Sequence, residues 1–150
     1  MEAVSIIIER PSLTALRDRL FQYDGSDAIT PEPVIICLAP IAFMRIVYLD
    51  QFSGSALPRL EGVHEDLAKT QRVELPVVAV RISPWRPVTF EVLDGQHRTA
   101  SYALMRCLSA PYLTERRMAD RLLGSCGAPT GVARERFDFS LVEDLLVTFP

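Results

Sequence analysis

Five consecutive residues, Asp94-Gly95-Gln96-His97-Arg98, bring a carboxylate, an amide, an imidazole and a guanidinium together around a glycine. An apolar, β-branched run from Val88 to Leu93 stops at Asp94, and a helical spacing of apolar residues begins after Gly95. The order predicts strand, tight turn and helix. The first N–H groups of a helix have no partner inside it, and the helix dipole favours negative charge there. Amides at Gly95 to His97, beside the Arg98 guanidinium, would therefore cradle phosphate oxygens.

Each residue of the pentapeptide has a structural and a chemical reading. Gly95 permits a positive φ or a close helix–strand approach, and a ligand's approach is an addition to that. Asp94 either caps the helix or supplies a carboxylate that holds Mg²⁺ or positions a water. His97 is a structural histidine or, as its place in the pentapeptide favours, a phosphate contact and proton carrier. Arg98 is a bidentate phosphate donor by shape, or the partner of a nearby acid. Gln96 bonds a base, a ribose or a water, or faces solvent. Thr99 and Ser101 could add hydroxyls near the same helix end.

The elements that must hold this turn can be traced along the chain. Ser12 predicts an N-cap for a helix over Leu13 to Tyr23, with Leu13, Leu16, Leu20 and Phe21 on one face. Val34 to Leu38 is a short continuous apolar run that suits a strand buried on both sides. Pro40 to Phe52 fits helix or strand, and Pro58 to Gln71 predicts a polar-faced helix. Pro76 to Ile82 and Val88 to Leu93 form a hairpin across Ser83–Pro87. The helix after Gly95 would bury Ala100, Ala103, Leu104, Cys107 and Leu108. Beyond Pro111 the pattern loosens. Glu115 to Leu123 predicts a helix, Gly124 to Gly131 a flexible connector, and Ser140 to Val147 a final helix.

Composition bounds the function. The chain has 150 residues, of which 49% are apolar and 23% charged, enough for a real core and against wholesale disorder. A formal charge of −3 excludes a generally basic nucleic-acid coat, so DNA contact needs a local patch. Arg116, Arg117 and Arg121 could share one helix side, diluted by Glu115 and Asp120. His64, in the acidic stretch Glu61 to Asp66, reads as a solvated face without metal-ligand spacing. Trp85 in the hairpin turn is an exposed contact or a cover for the sheet edge. Cys37, Cys107 and Cys126 are scattered and odd in number, which excludes a disulfide framework and a zinc site, and Cys37 and Cys107 suit a core. No apolar run is long enough to span a bilayer, and Met1-Glu2-Ala3-Val4 has no basic leader region, which predicts a cytoplasmic protein without membrane insertion.

Leu75-Pro76-Val77-Val78-Ala79-Val80, the hairpin, Val92-Leu93-Asp94-Gly95-Gln96-His97-Arg98 and the alanine-bearing helix resemble the ParB/sulfiredoxin superfamily over Glu74 to Cys107. Asp94 to Arg98 also looks like the DGQHR proteins associated with DNA modification. The resemblance implies an α/β (α+β) fold, a small mixed sheet with flanking helices, over residues 1–123; it does not reach residues 124–150, which the residue pattern makes a helical tail that packs on this domain or docks a partner. It implies that ATP or another nucleoside triphosphate, with Mg²⁺, binds at Gly95, Gln96, His97, Arg98 and Thr99, within reach of Arg72 and Glu74. His97, Asp94 and Arg98 would be catalytic and Asp94 the metal ligand. The activities implied are an ATPase with metal-dependent DNase action, and some small plasmid-encoded members block conjugative transfer. Nucleotide, DNA and a protein of a DNA-transfer or DNA-modification system are the implied partners. Gln96 stands where the sulfiredoxin pattern has its cysteine, which argues against a reductase. His97-Arg98 replaces the Arg-Arg of partition proteins. A non-catalytic nucleotide- or DNA-binding regulator and a serine-type small-molecule kinase are the alternative readings.

Overall fold

The computed structural model describes residues 5–24, 32–47, 71–83 and 86–150. The sequence-predicted helix from Pro58, with His64, and the loop residue Trp85 lie outside them. Among the described residues the strands are β1 (Ile6–Ile8), β2 (Pro33–Leu38), β3 (Arg72–Val73), β4 (Val77–Ser83), β5 (Arg86–Asp94), β6 (Ala110–Glu115) and β7 (Phe137–Asp138). The helices are α1 (Leu13–Asp24), α2 (Pro40–Ile46), α3 (Gln96–Leu104), α4 (Arg116–Cys126) and α5 (Thr130–Ala133), with a 3₁₀ turn at Glu143–Leu145. Together they make an α+β fold of two small sheets with flanking helices.

The larger sheet runs β2-β6-β4-β5, and the smaller runs β3-β1-β7 with both pairings parallel. β2 is antiparallel to β6, β6 parallel to β4, and β4 antiparallel to β5. Val34 to Leu38 are all buried, as an unbroken apolar run covered on both faces requires. Alternation along the central strand sends Tyr112 to the face covered by α2 and α3. There its ring meets Phe43 at 5.3 Å and Tyr102 at 5.4 Å, and Tyr102 meets Phe137 of β7 at 5.5 Å, joining the cores of the two sheets. α4 packs on β2, β6 and β4 through Ala119, Leu122, Leu123 and Cys126.

Several sequence expectations hold locally. The Ser12 hydroxyl accepts the Ala15 amide at 3.2 Å, which satisfies an amide of the first turn of α1. Pro40 starts α2 at the position where a missing N–H costs nothing, so the described part of the ambiguous run is helix to Ile46 and then an isolated bridge from Val47 to Phe90, while residues 48–52 lie outside the described residues. All three cysteines are buried. Burial pushes the Cys37 thiol up to about 11 and the Cys126 thiol up to about 12, so they sit in the core as neutral thiols.

The structure corrects other expectations. Ala110 to Glu115, where the sequence pattern loosens, is one of the two interior strands of the larger sheet. Antiparallel pairing alternates the direction of successive N–H groups. Leu113 N donates to Pro76 O at 2.9 Å, toward β4, so residue 111 faces the same way. β4 pairs β6 only at Val77–Leu113, so Pro111 lies beyond its start and its missing donor is not needed. The Pro111 carbonyl on that side takes the Tyr102 hydroxyl at 3.1 Å.

Gly124 to Gly131 is no loose connector. α4 continues to Cys126, Ala128 and Thr130 are buried, and the Thr130 hydroxyl accepts the Phe149 amide at 2.8 Å. Ser140 to Val147 contains only the short 3₁₀ turn, because Phe139 and Val142 turn into the core and Val147 N runs to Ile35 O at 2.9 Å as a β-like strap. Leu104 and Leu108 face outward, since α3 ends at Leu104. Its buried residues are Thr99, Ala100, Ser101 and Tyr102. Leu13 is also exposed.

Candidate functional site

The Asp94–Arg98 turn has the predicted strand–turn–helix form. Asp94 ends β5 in register with Val77, Gly95 is the N-cap of α3 at φ 83° and ψ 34°, and Gln96 opens the helix. This left-handed backbone admits glycine and penalises other residues. Space enforces the same choice. A Cβ at position 95 would lie 2.9 Å from Pro76 Cα and 2.8 Å from Arg98 Nη2. The Leu75-Pro76 entry to β4 is thus the floor of the turn, a role for Pro76 that no local sequence signal announces.

Arg98 folds back across this floor. Its Nη2 stands 3.4 Å from Asp94 Oδ2, with side chains 22% and 35% exposed. A charge-assisted bond closes to about 2.7–2.9 Å. The pair is therefore loose, and partial exposure keeps its contribution small. Arg98 Nε is buried and has no hydrogen-bond partner among the described residues. Gly95 itself occupies the N-cap position of α3 and has no side chain to cap with.

The remaining residues divide between the surface and the interior. Gln96 and His97 are half-buried on the first turn, with His97 Nε2 closed off from solvent. The amides of Gln96, His97 and Arg98 precede the first helical bond, Thr99 N to Gly95 O at 2.9 Å. Thr99, expected to offer its hydroxyl to a ligand, is fully buried and donates to the Gly95 carbonyl at 3.1 Å. Ser101 is fully buried too. Arg72 is exposed on β3 of the smaller sheet, four residues before Pro76.

A cleft of about 370 Å³, counted to its open mouth, adjoins Asp94 and brings Ser12 and Leu16 of the α1 start against Glu74, Val77 and Leu113. Sequence reasoning did not place α1 here, because β1 and α1 reach the turn only through the pairing of β1 with β3. Among the described residues no three His, Cys, Asp or Glu side chains group as a metal site. Two of the three arginines of the possible DNA patch are engaged with acids. Arg116 meets Glu32 at 2.9 Å and Arg117 meets Glu115 at 2.8 Å, while Arg121 is exposed. Glu115, itself buried, caps α4 by accepting Arg117 N at 3.0 Å.

No protein-family model matches the chain, and no curated protein matches it. A solved structure that shares the fold is the oncogenic suppression activity protein, a plasmid fertility inhibition factor, in its gold(I) cyanide derivative. It superposes with a TM-score of 0.50 at 14% sequence identity, over 77% of this chain and 85% of that one. The likeness is one of fold. Among the described residues no helix is long and apolar enough to cross a membrane.

Proposed function

We propose that this chain is a cytoplasmic ParB/sulfiredoxin-like protein that binds a nucleoside triphosphate at the Gly95–Arg98 turn and acts against conjugative DNA transfer. The observation that carries the reading is the turn itself. A left-handed glycine, an opening helix and a guanidinium held loosely over the glycine supply the donors that an anion needs at one point. The fold shared with a plasmid fertility inhibition factor supports the biological direction.

Asp94 constrains the chemistry. Its carboxylate stands where a phosphate would sit beside Arg98, and two anions there repel each other. Mg²⁺ fits this position, since it commonly takes one or two carboxylates and completes its shell with phosphate oxygens and water. Asp94, with Glu74 on the same cleft wall, would hold it, and it would offset charge on the reacting phosphate. Arg98 would then leave Asp94 for a phosphate oxygen, and His97 would carry the proton. ATP hydrolysis, with DNA cleavage by the same chemistry, is the activity we assign to this arrangement. The single carboxylate in the turn favours a second reading, in which nucleotide or DNA phosphate is bound without turnover and the protein acts as a regulator.

Thermal unfolding with ATP, CTP, GTP and ADP tests binding, because a ligand of the folded state raises its apparent stability. The expected result is a rise with Mg²⁺ that chelator removes. Asp94→Asn should make the rise independent of metal, and Arg98→Ala should abolish it. No shift with any nucleotide would end the binding reading. Phosphate release and plasmid nicking that are equal in wild type, His97→Ala and Arg98→Ala would leave the regulator. Unchanged plasmid transfer from cells expressing the protein would remove the biological assignment.

A further inference from the structure

We propose that the corner where α3 ends is a docking surface for an acidic, amphipathic helix of another protein. Backbone hydrogen bonds define the corner. Arg106 N bonds Ala103 O and Cys107 N bonds Tyr102 O, each at 3.0 Å, which closes the helix with Arg106 at φ 56°. Glycine is the usual occupant of that left-handed position. An arginine there accepts a backbone conformation that glycine would take without strain. Met105 packs against the core and Cys107 is buried within it. The alternate residues, Leu104, Arg106 and Leu108, point outward.

Leu104 is 54% exposed and Leu108 76%. Single exposed leucines are ordinary. Here two flank a cation on a fixed turn, and the apolar closure of the helix end is already made by Cys107. α2, packed against α3, adds the exposed Ile41 and Ile46, so these elements hold four of the six large exposed apolar side chains among the described residues.

The two stretches that carry these exposed side chains hold arginine and no acid. No carboxylate occurs from Pro33 to Val47 or from Gly95 to Thr114, although the protein is acidic overall. Arg45 and Arg106 lie on these stretches, and the Arg136 guanidinium is tied to the corner by donating to the Met105 carbonyl. An apolar face with a cationic rim is complemented by leucines flanked by carboxylates, which an amphipathic acidic helix presents. Nucleic acid would leave the leucines uncovered. The corner is at the far end of α3 from Gly95, about 13 Å along a helix of this length, and the inference does not depend on nucleotide binding.

Fluorescence anisotropy on the full chain tests it. The probe is a labelled amphipathic helix of about 18 residues built from Glu, Ala and Leu. The acidic probe should bind, bind less at high salt, and lose about tenfold in affinity with Leu104→Ser or Leu108→Ser. Arg106→Gly suits the backbone of the corner, so this variant should melt no lower than wild type and yet bind more weakly. Absence of binding, equal binding of a Lys-for-Glu probe, or undiminished binding by Leu108→Ser would overturn the proposal. So would capture by phosphatidylglycerol vesicles in place of the probe. Self-association that Leu108→Ser abolishes would overturn it too, by making the corner a contact between copies.

Discussion

Gly95 shows how one residue sets both the shape and the chemistry of the turn. Its positive φ costs other residues about 1–3 kcal/mol, and the Pro76 backbone below it cannot swing aside as a flexible side chain would. Gly95→Ala should therefore lower the melting temperature, by about 2–4 °C for each kcal/mol lost in a chain of this size. Removing the Arg98 side chain in the same variant relieves one of the two clashes and should restore only part of the loss. An alanine variant that melts like wild type would mean that the turn does not hold its left-handed form. The exposed carboxylates at the C-terminal end make a second prediction. Asp144 is held below the usual carboxylate range by Arg10, and Glu143 by Arg134. A carboxylate depressed in the folded state adds stability above its unfolded pKa, about 4, and that stability is lost as pH falls through the folded value. Acid melts of wild type should fall more steeply below about pH 4 than those of Asp144→Asn, and equal slopes would refute the pairing.

Tyr102 and Tyr112 share a packing layer and differ in what their hydroxyls do. Tyr102 supplies the bond that the Pro111 carbonyl lacks where β4 has not yet begun, whereas the buried Tyr112 hydroxyl has no partner among the described residues. Tyr102→Phe leaves a buried carbonyl unsatisfied and should cost about 1–3 kcal/mol, while Tyr112→Phe removes an unpaired hydroxyl and should be neutral or stabilising. Chemical denaturation of the two variants checks this, and a reversed order would refute it. The same region marks where the sequence is readable. Ser12 before an apolar helix, the unbroken Val34–Leu38 run, and a hairpin stopped by Asp94-Gly95 are signals carried by neighbouring residues, and each appears in the structure. β6 is hidden because Pro111 punctuates it, and because a strand buried on both faces shows no alternation. Leu104 and Leu108 mislead because helical spacing continues past the point where Arg106 turns the chain. In the candidate site the turn is legible, but the inward rotation of Thr99 and the approach of α1 are not, since both follow from tertiary pairing.

At the scale of the molecule the last residues are structural. β7 lies beside β1, and Arg10 grips both Asp144 oxygens, at 2.8 and 2.7 Å. The open side of β2 is closed by Ala128 N to Cys37 O at 3.0 Å and by Val147 N to Ile35 O. A chain cut after Leu123 should lose cooperative unfolding, and a sharp melt of that fragment in calorimetry would contradict it. The strap also bears on biosynthesis. A ribosome makes β2 long before it makes Val147, and even after β6 has paired with it this apolar strand keeps one unclaimed row of backbone groups. Such rows recruit strands from other chains. Nascent copies on one message are therefore exposed to cross-pairing until translation reaches the segment that seals them, so slowing synthesis after Leu123 should send more of the product into inclusion bodies.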